Sequence, residues 1–402
     1  MSPRLSPEQQ VEALCQGIDT VLPAGELLER LGEGRPLRVK LGVDPTAPDV
    51  TLGWAVVFRL LRRFQELGHV AVLIIGDFTA QVGDPSERVS TRRRLDQTEV
   101  SDNVTGVMDV IEGLLLPERL EIRHNSEWLG SMDMRDVLQL TSHFTVSRIL
   151  DRDDFKKRWD SSQPISLIEF MYPLLQAMDS VAVEADIEIG GSDQLFNLLV
   201  GRDLQERSGQ VPQLVMTVPL LVGTDGTRKM SQSLDNYISV TDAAEEMFGK
   251  TMRIPDELLE QWFALAAGRT DAEAADIAAA VAAGELHPGA TKRVLAGDIV
   301  TLYHGAEAAA TAEAHFDRLF VAKEAPDDVP EERLGADDPV SLAVVLHSSG
   351  LVASRSEARR LIAQGAVRVD GEPVAEEHIA RSALAGRIVK VGKRRFVRFI
   401  TD

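Results

Sequence analysis

Four short segments carry the side chains best suited to chemistry. In the first, Gly42-Val43-Asp44-Pro45-Thr46-Ala47-Pro48-Asp49 runs into Thr51-Leu52-Gly53-Trp54 at the start of a helical stretch. A helix N-terminus that follows a strand presents free backbone amides and the positive end of the helix dipole, a setting that favours phosphate. Gly53 would let a nucleotide lie close, although a strand, turn and helix with a glycine is also an ordinary structural unit. The second segment reads Gly76-Asp77-Phe78-Thr79, then Gly83-Asp84-Pro85-Ser86-Glu87-Arg88, with Arg92 beyond. Arg88 and Arg92 suit the clamping of a leaving pyrophosphate; the plainer reading is a salt-bridged surface loop. In the third, Tyr172, Gln176 and Asp179 are spaced four and three apart, which puts them on one helix face. Gly190-Gly191-Ser192-Asp193-Gln194 follows. A carboxylate and amides converging there could bind a small polar ligand with a phenolic end, or could form a plain polar face. The fourth, Lys229-Met230-Ser231-Gln232-Ser233, places a lysine in a loop after the last apolar strand.

The elements around these segments read as an α/β chain. Gln10 to Arg30 has helical spacing and reads as one or two helices, Leu37 to Val43 alternates as a strand, and Leu52 to Leu67 is helical with Gly68 as its stop. Val70 to Gly76 is a continuous apolar run that suits a buried parallel strand. Strand, turn, helix and strand make a βαβ unit, and Asp84 falls in a loop at the carboxyl edge of the sheet, where ligands bind in such folds. The pattern repeats through Leu120 to Arg123, a helix around Asp136 to Leu150, Asp186 to Gly191, and a last strand from Leu214 to Val222. From Asp242 the chain is helical and rich in alanine. Glu324 to Asp338 is acidic with Pro326 and Pro330, a linker by composition. The tail from Leu342 to Ile400 combines a helix bearing Arg355, Arg359 and Arg360 with short strands around Val367 to Gly371 and Arg387 to Phe399.

Composition narrows the function classes. The chain has 402 residues, 44% of them hydrophobic, enough for two or three domains with cores of their own. Its one cysteine, Cys15, excludes an internal disulfide and a cysteine-based zinc cluster, and points to a reducing, cytoplasmic compartment. No signal peptide or membrane span is legible. A net charge of -20 argues against a nucleic-acid partner, yet Leu351 to Asp402 carries eleven basic residues against six acidic ones. That asymmetry permits RNA contact at the C-terminal end.

The four segments, in this order and at these separations, resemble the bacterial tyrosyl-tRNA synthetase family of class I aminoacyl-tRNA synthetases. The likeness runs from about Pro36 to Val240. It resumes in the last 60 or so residues, where Ser354-Arg355-Ser356-Glu357-Ala358-Arg359-Arg360-Leu361-Ile362 and Val367-Arg368-Val369-Asp370-Gly371 are similar to an S4-type RNA-binding domain. The resemblance implies an α/β fold with a Rossmann-type parallel-sheet catalytic domain over residues 1–235. It further implies an α-helical anticodon-binding domain over 236–323, the linker at 324–338, and a small α+β S4-like domain over 339–402.

The resemblance also implies the roles of residues. Tyr172, Gln176, Asp179 and Gln194 would line the amino-acid pocket, with Asp179 accepting from the substrate phenol; Asp84, Thr79 and Asp44 would hold the α-ammonium group. Gly53, Gly191 and Asp193, with Met230, Ser231, Gln232 and Ser233, would face ATP. Thr46, Thr51, Arg88, Arg92 and Lys229 would meet its phosphates. Arg355, Arg359, Arg360, Lys393 and Arg395 would grip tRNA. The implied partners are tyrosine, ATP with Mg2+ and tRNA, with no dedicated metal site and no membrane, in a cytoplasmic homodimer that makes tyrosyl-adenylate and passes the aminoacyl group to tRNA.

Several positions depart from the family pattern. The first signature has histidine at both ends, where this chain has Thr51 and Trp54. The second has lysine where this chain has Gln232, and Glu87 replaces a usual glycine beside the phosphate clamp. Met178 stands beside Asp179 where an aromatic residue is common. Two alternatives to a working tyrosine-tRNA ligase therefore stand: a paralogue that activates tyrosine or an analogue in a specialised pathway, and a catalytically impaired protein that binds tRNA or tyrosine.

Overall fold

The computed structural model describes residues 5–45, 49–85, 97–321, 329–392 and 395–401. The chain divides into two compact units, Met1–Ala310 and Thr311–Asp402.

The first unit is built on a six-stranded sheet of β1 (Thr20–Leu22), β2 (Arg38–Val43), β3 (Val70–Ile75), β4 (Leu120–His124), β5 (Ile187–Gly191) and β6 (Leu214–Val218), in the order β1-β6-β5-β2-β3-β4. The last five run parallel, and β1 joins the edge antiparallel to β6 with Val21 opposite Met216. β3 and β6 are buried almost throughout, as expected of strands covered on both faces. The order reverses between β2 and β5, and that switch point opens a crevice at the carboxyl ends of the strands. The Leu52–Glu66 helix starts on Thr51, whose Oγ1 accepts from the Trp54 amide at 3.3 Å, and turns Ala55, Phe58, Leu61 and Phe64 into the core.

Four sequence expectations change. The Gln10–Arg30 stretch is not wholly helical: helices at Pro7–Leu14 and Glu26–Gly32 flank β1, whose three residues are too short for a period-2 signal. The helix expected around Asp136 to Leu150 is two, Met134–Ser142 and Val146–Ile149, because Thr145 caps a fresh start on the Arg148 amide. β6 stops at Val218, before Pro219, and Val222 instead bridges back to Lys229. The Gln97–Leu114 helix was not anticipated.

The second unit has a five-stranded sheet of β7 (Glu331–Arg333), β9 (Val367–Val369), β10 (Glu372–Pro373), β12 (Ile388–Val391) and β13 (Arg395–Ile400), and a two-stranded pair of β8 (Val340–Ser341) and β11 (His378–Ile379). Two helices, Leu342–Ser348 and Arg355–Ala363, supply Leu342, Leu346, Ala358 and Ile362 to a core shared with Val367, Val389, Val397 and Phe399. Part of the stretch read as linker is in fact β7, which pairs in parallel with β13 and is followed by the buried Leu334. Composition missed it because an acidic, fully exposed edge strand looks like a solvated spacer.

Candidate active site

The switch-point crevice is a cleft that opens to solvent at its mouth. Its lining brings together Asp44, Thr51, Gly53, Thr79, Asp84, Tyr172, Gln176, Asp179, Gly191, Asp193, Gln194, Lys229, Met230, Ser231, Gln232 and Ser233. Every described residue expected to touch amino acid or nucleotide is therefore in one cavity. Thr46, Glu87, Arg88, Arg92 and Lys393 lie outside the described residues.

At the inner end, the Leu167–Ala182 helix lays Tyr172, Gln176 and Asp179 along one face. Tyr172 donates to Asp44 Oδ2 at 2.9 Å, and Thr79 donates to Asp44 Oδ1 at 2.7 Å. Burial pushes the Asp44 carboxyl up to about 7, against the opposing pull of those two hydroxyls. Asp179 is only 3% exposed, and burial likewise raises it to about 7, partly offset by the Lys40 charge and the Trp128 indole. Trp128 Nε1 donates to Asp179 Oδ1 at 2.9 Å. Gly76 is dictated by this packing: a Cβ there would stand 1.9 Å from Asp44 Oδ1 and 2.4 Å from Thr79 Oγ1.

Gln194 donates to Asp84 Oδ2 at 2.7 Å and accepts from Asn197 at 3.0 Å. Arg152, 5% exposed, stands 3.6 Å from Asp84 Oδ1 and donates to Asn197 Oδ1 at 3.2 Å. The position expected to meet an ammonium group is thus already braced from two sides.

At the mouth, Lys229 Nζ pairs with Asp193 Oδ2 at 2.9 Å. Asn236 holds the loop behind that lysine, accepting from the Ser231 amide at 2.9 Å and donating to the Lys229 carbonyl at 3.1 Å. The Gln232 amide donates to the Asp49 carbonyl at 2.6 Å, which joins the lysine loop to the turn before the helix. Thr51 is 1% exposed and spends its oxygen on the helix cap, so only its hydrogen remains for a phosphate. A Cβ at Gly53 would meet nothing closer than 3.5 Å, so packing within the protein does not demand glycine there.

Sequence reasoning missed Asn125, Trp128 and Arg152. Asn125 donates to Thr79 Oγ1 at 2.9 Å and accepts from the Phe78 amide at 3.0 Å, fixing the second segment from below. Asn125 and Trp128 follow β4 at the same carboxyl edge that singled out Asp84, so the edge rule applied to every strand would have found both. Arg152 had no such signal.

In the second unit the expected RNA-binding residues differ in availability. Arg359 Nε is held by Glu377 at 2.9 and 3.0 Å, and Arg395 lies 3.7 Å from Glu357 and donates to the Leu351 carbonyl. Arg355 and Arg360 are exposed and make no ion pair among the described residues.

No helix of the described residues is long and apolar enough to cross a membrane. Among those residues, no group of three or more His, Cys, Asp or Glu side chains is placed to hold a metal ion.

Comparison with known proteins agrees with this geometry. Residues 32–321 match the family of class I tRNA synthetases for tryptophan and tyrosine, and residues 340–394 match the S4 domain. The chain is 44% identical to the tyrosine–tRNA ligase of Desulfotalea psychrophila over 98% of both chains. It is 47% identical to that of Mannheimia succiniciproducens over 96% of both. In fold it is similar to the C-terminally truncated mitochondrial tyrosyl-tRNA synthetase of Aspergillus nidulans (TM-score 0.62, 22% identity, 79% of this chain and 95% of that one). The tyrosyl-tRNA synthetase of Archaeoglobus fulgidus, solved with L-tyrosine, gives a TM-score of 0.61 at 22% identity, over 76% of this chain and 99% of that one.

Proposed function

The chain belongs to the tyrosyl-tRNA synthetase family of class I, and on that premise we propose that it is a tyrosine–tRNA ligase whose amino-acid pocket ends on Asp179. The observation that carries this reading is the buried Asp179 carboxylate at the closed end of a cleft whose mouth holds Lys229 and Asp193. A phenol supplies the donor such an acceptor needs. Phenylalanine would leave the acceptor capacity that Trp128 does not fill without a donor, at a cost of about 1–3 kcal/mol or more.

In the first step the tyrosine carboxylate attacks the α-phosphorus of ATP and pyrophosphate leaves. In the second, a terminal ribose hydroxyl of tRNA attacks the adenylate carbonyl and AMP leaves. Neither step needs a covalent enzyme intermediate. Asp84, Thr79 and Asp44 take the α-ammonium group, and Gln194 holds Asp84 in place for it. Asp193, Gly191 and Gly53 take the nucleoside. Lys229 leaves Asp193 for the phosphates, with Thr51, Thr46, Arg88 and Arg92, and stabilises the charge of departing pyrophosphate. Mg2+ enters as part of the ATP substrate.

The division into a catalytic domain over 1–235, a helical anticodon-binding domain over 236–323 and an RNA-binding domain over 339–402 belongs to this proposal, as does a cytoplasmic homodimer. Exposed Met134, Leu138, Val146, Trp159 and Leu167 in the first unit supply apolar surface for such an interface. A second reading, a paralogue with a specialised substrate, is favoured by Trp54 in the cleft wall and Met178 beside Asp179. Pyrophosphate exchange against a panel of amino acids tests the ligase; absence of tyrosine-dependent exchange overturns it. Charging of tRNA separates the two readings.

A further inference from the structure

Behind the amino-acid end of the cleft lies a polar network that the steps above do not use. Lys40, on β2, is 0% exposed and spends its three N–H groups on the Gln176 carbonyl at 3.1 Å, Ser180 Oγ at 2.8 Å and Glu188 Oε1 at 2.8 Å. Glu188, on β5 and 1% exposed, accepts twice on each oxygen. Its Oε1 takes Lys40 and the Gln176 amide at 3.1 Å; its Oε2 takes Ser180 Oγ at 3.0 Å and the Gln213 amide. Every contact to this side chain donates, the pattern of an ionised carboxylate with its capacity filled. Gly201 on the facing helix leaves the space: a Cβ there would stand 3.1 Å from Glu188 Oε2 and 3.0 Å from Ser180 Oγ.

Two oxygens of the network, Gln213 Oε1 and Gln176 Oε1, are buried with no hydrogen-bond partner among the described residues, and of the two side chains only Gln176 lines the cleft. An amide has a donor end and an acceptor end of nearly equal size, so its neighbours decide which end goes where. Glu188 can only accept. It claims the Gln176 NH2 and leaves the oxygen over.

We infer that Glu188, held by Lys40, is a positioning residue for the amino-acid substrate: it turns the Gln176 amide so that an acceptor oxygen meets a hydrogen-bond donor of the bound amino acid, its α-ammonium group or its phenol. The inference rests on the tyrosine–tRNA ligase reading. Lys40 is the counter-charge that lets Glu188 stay an acceptor in a buried setting, where an unpaired carboxylate would be costly.

Calorimetric titration of the full chain with tyrosine, phenylalanine and ATP tests this. In Glu188→Gln, one amide oxygen replaces two carboxylate oxygens where four donors converge, so Gln176 turns its NH2 toward the cleft. Tyrosine affinity then falls about tenfold, as for one lost hydrogen bond, while ATP affinity is unchanged. Adding Gln176→Glu to that variant returns an acceptor to the cleft and restores tyrosine affinity to within about threefold of wild type, a rescue that a purely structural role would not give. An equal loss for tyrosine and phenylalanine in Glu188→Gln assigns the donor to the ammonium group; a loss for tyrosine alone assigns it to the phenol. Unchanged tyrosine affinity in folded Glu188→Gln overturns the inference, as does a joint loss of tyrosine and ATP binding without rescue. If Glu188→Gln does not fold, the paired variant decides: tyrosine affinity near wild type supports the role, and a folded pair that has lost it refutes the role. A wild-type chain that binds no tyrosine sinks the ligase reading, whereas wild-type binding with an indifferent Glu188→Gln sinks only this role.

Discussion

Tyr172 donates its hydroxyl hydrogen to Asp44 Oδ2 at 2.9 Å, tying the Leu167–Ala182 helix in the cleft wall to the loop after β2, 128 positions earlier in the chain. With Thr79 on the other oxygen, Asp44 is held on both sides, and Gly76 is the position that leaves it room.

Gly76→Ala tests that arrangement. The added methyl would overlap Asp44 Oδ1 and Thr79 Oγ1, and overpacking of this kind costs about 1–3 kcal/mol of stability. Denaturant unfolding should register that loss, and tyrosine affinity should fall with it, because Asp44 must move. A variant with wild-type stability and affinity would contradict the packing argument.

The elevated Asp179 carboxyl makes a pH prediction with a definite sign. Its folded value of about 7 lies above the ordinary carboxyl range, so the folded chain binds more protons than the unfolded one between about 4 and 7. Its contribution to stability is complete below about 4 and is lost as pH rises through 7. Asp179→Asn should therefore raise Tm relative to wild type at pH 8, with the difference shrinking toward pH 5. In the proposed site tyrosine binding needs the ionised Asp179 and should weaken in the wild type as pH falls below 7, more steeply than phenylalanine binding, which senses only the protonation of Asp44 at the ammonium end. Thermal melts and titrations across pH 5 to 8 check both, and a flat tyrosine profile would count against ionised Asp179 as the phenol acceptor.

Lys229 leaves Asp193 for the phosphates in the proposed cycle. Lys229→Met should lower kcat for pyrophosphate exchange by about 100- to 1000-fold, as for other lost charge-stabilising donors, with tyrosine affinity unchanged. An equal fall in tyrosine affinity would place this lysine in a different role.

In the second unit, Arg355 and Arg360 are exposed and make no ion pair among the described residues, while Arg359 is engaged by Glu377. Replacing Arg355 and Arg360 together with alanine should weaken tRNA binding about tenfold and flatten its salt dependence by one to two phosphate contacts. Arg359→Ala should matter less. The reverse order would mean that Glu377 releases Arg359 on RNA binding.

Much of this protein was legible without coordinates, because the relevant signals are local in the chain. The βαβ run from Leu37 to Gly76 rests on apolar periodicity, and the spacing of Tyr172, Gln176 and Asp179 fixes a shared helix face whatever surrounds it. The carboxyl edge of a parallel sheet is a place that sequence order implies, so Asp84 could be assigned to the crevice in advance, while Asp44, Thr79 and Asp193 joined it through the resemblance to the family. Tertiary structure decided what depends on distant partners. β1 exists because β6 lies beside it, and β7 because β13 offers an edge; neither has a pattern of its own. Lys40 reads as one charge interrupting a strand until Glu188 and Ser180 close around it. The elevated Asp44 and Asp179 carboxyls arise from burial, and burial belongs to the packed fold and not to any residue in isolation.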